Sequence, residues 1–122
     1  MRVLDRMIAR FDDDPGKVLS EFRTRCGNDD PVDHFDPQPL RRDLVTLRDG
    51  DTRAAAAAIG VPFLVLHGAR DPLLPEEMRR RVFAEARDVK VETHPEAGHL
   101  LPLEDPEWCA EHISSLCASI AG

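Results

Sequence analysis

The 122-residue chain carries 23 acidic against 16 basic side chains, a net charge of −7, which argues against nucleic acid as its partner. With 42% hydrophobic and 32% charged residues it has the composition of a soluble globular chain rather than a disordered one. No stretch approaches the roughly 20 apolar residues of a membrane span, and the charged opening Met1-Arg-Val-Leu-Asp-Arg lacks the apolar run of a secretory signal, so a cytoplasmic location is expected.

Residues 2 to 11 place Val3, Met7, Ile8 and Phe11 at helical spacing, with Arg2, Arg6 and Arg10 along another face, and predict a short amphipathic helix. Asp14-Pro15, Asp36-Pro37 and Asp105-Pro106 each set a good N-cap beside a proline suited to the first helical position, marking three further helix starts. The aspartates at 12 to 14 and at 29, 30, 33 and 36 read as solvated caps. Leu19 and Phe22 suggest a helix ending near Cys26-Gly27, and Leu40, Leu44 and Leu47 suggest another stopped by Gly50. The alanine run after Arg53 has high helix propensity and predicts one or two turns before Gly60.

From residue 61 the texture changes. Val-Pro-Phe-Leu-Val-Leu is a continuous apolar run of the kind that fits a buried parallel strand, with Pro62 near its start. Pro75-Glu-Glu opens a helix whose expected buried stripe is Met78, Val82, Phe83 and Ala86. Val89-Lys-Val-Glu-Thr-His alternates and predicts a second strand. A last helix from Pro106 to about Ile120 sets Trp108, Cys109, His112, Ile113, Leu116, Cys117 and Ile120 on one side. The order strand, helix, strand, helix describes a right-handed crossover unit closed by a helix. Both Asp71 and His99 would then leave the carboxyl ends of adjacent parallel strands, where open α/β sheets gather their ligands.

Val65-Leu-His-Gly-Ala-Arg-Asp-Pro-Leu-Leu-Pro, Pro95-Glu-Ala-Gly-His and the following Glu104-Asp-Pro-Glu closely resemble the C-terminal part of the α/β-hydrolase fold. The resemblance puts Asp71 on the catalytic acid position and His99, 28 residues later, on the base position. Its expected fold is a C-terminal α/β-hydrolase part: a helical cap segment over residues 1–58, then a strand-helix-strand-helix segment over 59–122. The N-terminal strands and nucleophile elbow are absent from that reading. Upstream, Asp5-Arg-Met-Ile-Ala-Arg-Phe, the spacing to Leu47-Arg and the Val-Pro-Phe-Leu run are similar to the cap and following strand of the pimeloyl-carrier-protein methyl ester esterases of biotin synthesis. That likeness implies that Arg6 and Arg10, matching Arg-x-x-x-Arg-Phe and sharing one helix face, grip an acidic acyl carrier protein. A non-catalytic module whose basic cap face holds such a partner is the alternative.

No Gly-x-Ser-x-Gly occurs in the sequence. Ser20 falls in a charged helix and Ser114, Ser115 and Ser119 in the last one, so none follows a strand within a glycine frame. Arg25-Cys-Gly-Asn reads as a helix end, and Cys109 and Cys117 are expected to be buried and inert. Three cysteines without metal spacing give neither a disulfide framework nor a zinc site, and no cofactor or metal is expected. His67 reads as structural, and His94 comes too early for the base position. Without a nucleophile the pair is expected to be inactive alone. The cap helix begins almost at once, as if the chain had been cut at an internal methionine. An apolar strand lacking its outer neighbour is an association site, predicting a homodimer or a complex with an N-terminal hydrolase fragment rather than a stable monomer.

Overall fold

The computed structural model describes residues 3–122 and divides into two compact units, Met1–Asp51 and Thr52–Gly122. Arg2, expected on the basic face of the first helix, lies outside the described residues. No helix among the described residues is long and apolar enough to cross a membrane.

The first unit consists of α1 (Val3–Asp13), α2 (Pro15–Cys26) and α3 (Pro37–Asp49), with α1 packed against both others. Ile8, Phe11 and Val18 are its buried residues, a core in keeping with the spacing in α1, although Val3 at the helix start stays exposed. The caps follow the aspartate-proline pairs. Asp14 accepts the Lys17 amide and Asp36 the Gln38 amide. Helix α2 ends with Gly27 at φ 94°, where the Gly27 and Asn28 amides donate to the Thr24 and Arg23 carbonyls. That left-handed turn is one glycine adopts without steric cost. Arg41 of α3 forks onto both oxygens of Asp12 at 2.5 and 2.9 Å, and this hydrogen-bonded guanidinium holds the Asp12 carboxyl below its ordinary value. Asp12 is thus half of an ion pair between helices rather than a bare solvated acid.

The second unit runs α4 (Arg53–Ala57), β1 (Phe63–Gly68), α5 (Glu76–Val82), β2 (Val89–His94), α6 (Leu101–Glu104) and α7 (Pro106–Ala121). Strands β1 and β2 pair in parallel, from Phe63 opposite Val89 to Gly68 opposite His94, so both chains leave the sheet at the same end. Ala97, Leu101 and Cys109 form the buried cluster, with Leu66 and Trp108 against it. Leu66 comes from β1, Cys109 and Trp108 from the start of α7, Ala97 from the loop after β2 and Leu101 from the start of α6. The core therefore sits under the loop that carries His99.

Two helices depart from expectation. Helix α5 stops at Val82, because Phe83 leaves the helical region (φ −104°, ψ 12°) and instead sets its ring 5.8 Å from that of Phe63. The expected stripe through Phe83 and Ala86 therefore does not form. Met78 is half exposed and Arg79, paired with Glu76 at 3.5 Å, is buried in its place. In α7 only Cys109 is fully buried; Ile113, Cys117 and Ile120 are exposed. A two-stranded sheet is too narrow to cover a 16-residue helix, so the sequence stripe outruns the surface available to it.

Candidate functional site

Asp71 and His99 meet. His99 Nδ1 lies 2.9 Å from Asp71 Oδ2, which makes the ring nitrogen the donor and the carboxylate the acceptor. The acid is locked. Its other oxygen accepts the amides of Leu73 and Leu74 at 2.8 and 3.0 Å, closing a tight turn after β1. Its side chain is only 7% exposed, whereas that of His99 is 37% exposed. Burial by itself would push the Asp71 carboxyl up; the hydrogen bonds from His99, Leu74 and Leu73, with the charge of His99, outweigh it and hold the group below its ordinary value. The acid is ionised at neutral pH and fixes the imidazole with its proton on Nδ1, leaving Nε2 as the basic nitrogen.

His67 supports the same turn. At the end of β1 it is buried, and its Nε2–H donates to the Leu74 carbonyl at 2.7 Å, in line with a structural role. Its Nδ1 is buried with no partner among the described residues.

His99 is positioned by a loop that crosses the end of β1 at backbone distance. The Arg70 amide donates to the Ala97 carbonyl at 2.9 Å, and the Ala69 amide to the His94 carbonyl at 2.8 Å. A Cβ on Gly68 would stand 2.3 Å from the Gly98 carbonyl oxygen, so only glycine admits this approach. Two residues that the sequence left without a role hold the loop. Glu104 takes the Gly98 amide on both carboxylate oxygens, at 3.1 and 3.0 Å. His94 accepts the Glu96 and Ala97 amides on Nδ1 at 3.2 and 3.0 Å. The only sequence signal for Glu104 is its place in Glu104-Asp-Pro-Glu; for His94 there is none short of the fold. Leu66, Leu74, Leu101, Pro102 and Ile113 line a largely apolar cleft of about 380 Å³ on which Asp71 and His99 border.

Arg6 and Arg10 lie on α1 in the first unit and are both exposed. Arg10 is ion-paired with Glu21 of α2. Arg6 has no ion pair among the described residues. No group of three or more histidine, cysteine or acidic side chains able to hold a metal occurs among the described residues. None of the three cysteines is in a disulfide: Cys109 is buried as expected, but Cys117 is exposed, because α7 runs past the sheet.

A buried carboxylate and an exposed histidine thus meet at the carboxyl ends of neighbouring parallel strands, where open α/β sheets gather their ligands. The chain belongs to the alpha/beta hydrolase family, whose pattern it matches over residues 2–112. Among solved structures it is similar to an esterase from Exiguobacterium antarcticum, with a TM-score of 0.70 and 22% identity. That match covers 93% of this chain and 46% of the esterase, so the chain spans under half the length of this neighbour. No curated protein matches the chain. Its helices and small parallel sheet are α/β-hydrolase-like.

Proposed function

We propose that this chain carries the acid and base of a serine carboxylesterase and acts when a nucleophile is brought to them. The observation that carries the reading is the 2.9 Å contact between His99 Nδ1 and a buried, doubly pinned Asp71. A serine hydroxyl placed against Nε2 loses its proton to His99 as its oxygen attacks the ester carbonyl. The imidazolium then hands that proton to the departing alcohol, and Asp71 stabilises the charged ring between the two steps. Water repeats the cycle to release the acid. The apolar cleft suits an acyl chain better than a charged substrate. The serine comes from a separate N-terminal hydrolase segment seated along the edge of β1 that β2 leaves unpaired.

The finer assignment is the methyl ester of pimeloyl-acyl carrier protein in biotin synthesis, supported by the likeness of the first 50 residues to that family's cap. Arg6 and Arg10 then meet the acidic carrier. The test is reconstitution: the purified chain is mixed with an N-terminal hydrolase chain bearing Gly-x-Ser-x-Gly, and release of methanol from pimelate methyl esters is followed. Hydrolysis by the mixture, absent with His99→Ala, supports the reading. Turnover by the chain alone that disappears in His99→Ala would overturn it, since the nucleophile would then lie within these residues. Salt-sensitive binding of acyl carrier protein, lost in the Arg6→Glu, Arg10→Glu double variant, supports the carrier assignment, and binding indifferent to both changes refutes it.

A further inference from the structure

The three amides that lead into His99, those of Glu96, Ala97 and Gly98, all donate to side chains. Gly98 is held by Glu104, an exposed residue. Glu96 and Ala97 are held by one nitrogen of His94, whose side chain is only 17% exposed. An imidazole nitrogen that accepts two amide protons bears a lone pair, so the ring proton of His94 sits on Nε2. Nε2 lies 3.2 Å from Asp105 Oδ2, and Asp105 Oδ1 accepts the Trp108 amide at 3.0 Å as the N-cap of α7. The Trp108 ring meets the His94 ring edge-on, centroids 5.1 Å apart, and fixes its plane.

We propose that His94 is the positioning residue of the base: a neutral, Nε2-protonated imidazole that ties the loop before His99 to the N-cap of α7. The role rests on His99 being the base of the site. The two histidines are mirror images in their use of protons. His99 gives Nδ1–H to Asp71 and keeps Nε2 basic, whereas His94 gives Nε2–H to Asp105 and keeps Nδ1 as an acceptor. Ala97 is the hinge between them. It is buried, its amide is held by His94 and its carbonyl by the Arg70 amide, so neither of the two peptide planes that meet at Ala97 can turn without breaking a bond. Two residues later the chain reaches His99.

A proton on Nδ1 of His94 would face two amide donors, so both loop bonds require the lone pair there. Glu96 on the loop is engaged by Arg70 at 3.7 Å, and Glu104 is engaged by the Gly98 amide.

The test uses the 122-residue chain with 15N-labelled histidine. Ring nitrogen shifts report each tautomer, the downfield Nδ1 proton of His99 reports its bond to Asp71, and hydrogen exchange by mass spectrometry reports the 96–98 amides. Wild-type protein should show His94 as the Nε2–H form at neutral pH. His94→Phe removes acceptor and donor. It should lose the downfield proton and speed exchange over 96–98 by roughly fivefold to tenfold, the loss expected for one amide hydrogen bond. His94→Asn keeps an acceptor near the position of Nδ1 and should restore both signals; far-ultraviolet circular dichroism confirms that each variant is folded. A His94 that carries its proton on Nδ1, a His94→Phe chain with the His99 signal intact, or an asparagine variant no better than phenylalanine would overturn the proposal. A wild-type chain without the downfield proton would instead sink the acid–base pair itself, and the positioning role with it.

Discussion

Gly68→Ala tests the crossing on which the site is built. An added methyl would stand 2.3 Å from the Gly98 oxygen, 2.4 Å from the Ala97 oxygen and 2.7 Å from the Ala97 carbonyl carbon, where real Cβ atoms do not come within 3.0 Å. All three obstacles are backbone, so no side chain can swing away; the 97–98 peptide must move as a unit. That peptide is tied by the Arg70 amide at 2.9 Å and by Glu104 at 3.0 Å. Overpacking typically costs about 1–3 kcal/mol, and contact with fixed backbone places this change at the upper end, ~3 kcal/mol. With a urea slope of ~1 kcal/mol per M for a chain of this size, the midpoint should fall by ~3 M or the folded state should vanish. The single tryptophan, Trp108, packs against the core under the loop and reports the transition by fluorescence. The downfield Nδ1 proton of His99 should disappear in native conditions, because a shift of the peptide carries the ring away from Asp71. Gly98→Ala is the control. Its methyl would meet the Glu104 carboxylate at 3.5 Å and the Arg70 carbonyl at 3.8 Å, ordinary contact distances, and should be tolerated. A Gly68→Ala midpoint within ~0.5 M of wild type, the scatter of a neutral surface change, would refute the crossing.

Other outcomes follow from the same geometry. Asp71→Ala removes the acceptor of two amides and of His99, and should cost about 2–4 kcal/mol in urea melts; Asp71→Asn, which keeps an oxygen for the turn, should cost less. Because the folded Asp71 titrates below its ordinary value of 3.8, its stabilisation is complete above that value and is lost as pH falls through the lower folded one. The wild-type chain should therefore lose more stability than Asp71→Asn between about pH 5 and the acid transition, measured by melts at stepped pH. Arg10→Glu should lower the melting temperature more than Arg6→Glu, since it sets a second acid against Glu21 while Arg6 faces solvent. Sedimentation at micromolar concentration should show self-association through the open edge of β1, and a compact monomer would count against it.

Sequence by itself determined whatever rests on neighbours in the chain. The three aspartate-proline caps, the glycine that closes α2 and both strands stand where local chemistry puts them, because a cap draws its partners from within a few residues and a strand is marked by the pattern of its own side chains. Asp71 and His99 were legible too, since their order and their place after an apolar and an alternating strand are linear features. Tertiary structure decided how they are held. Nothing along the chain says that His94 turns its Nδ1 to the amides that follow and its Nε2 to a residue eleven positions on, or that Glu104 clasps Gly98. It also decided which apolar residues find cover. Periodicity names a candidate face, but burial needs an opposing surface, and the two-strand sheet gives α7 one only at its start, while the early end of α5 buries Arg79 and leaves Met78 in water. The pair of side chains was written in the sequence; the 2.9 Å between them is a property of the crossing at Gly68 and of the loop tied down by His94 and Glu104.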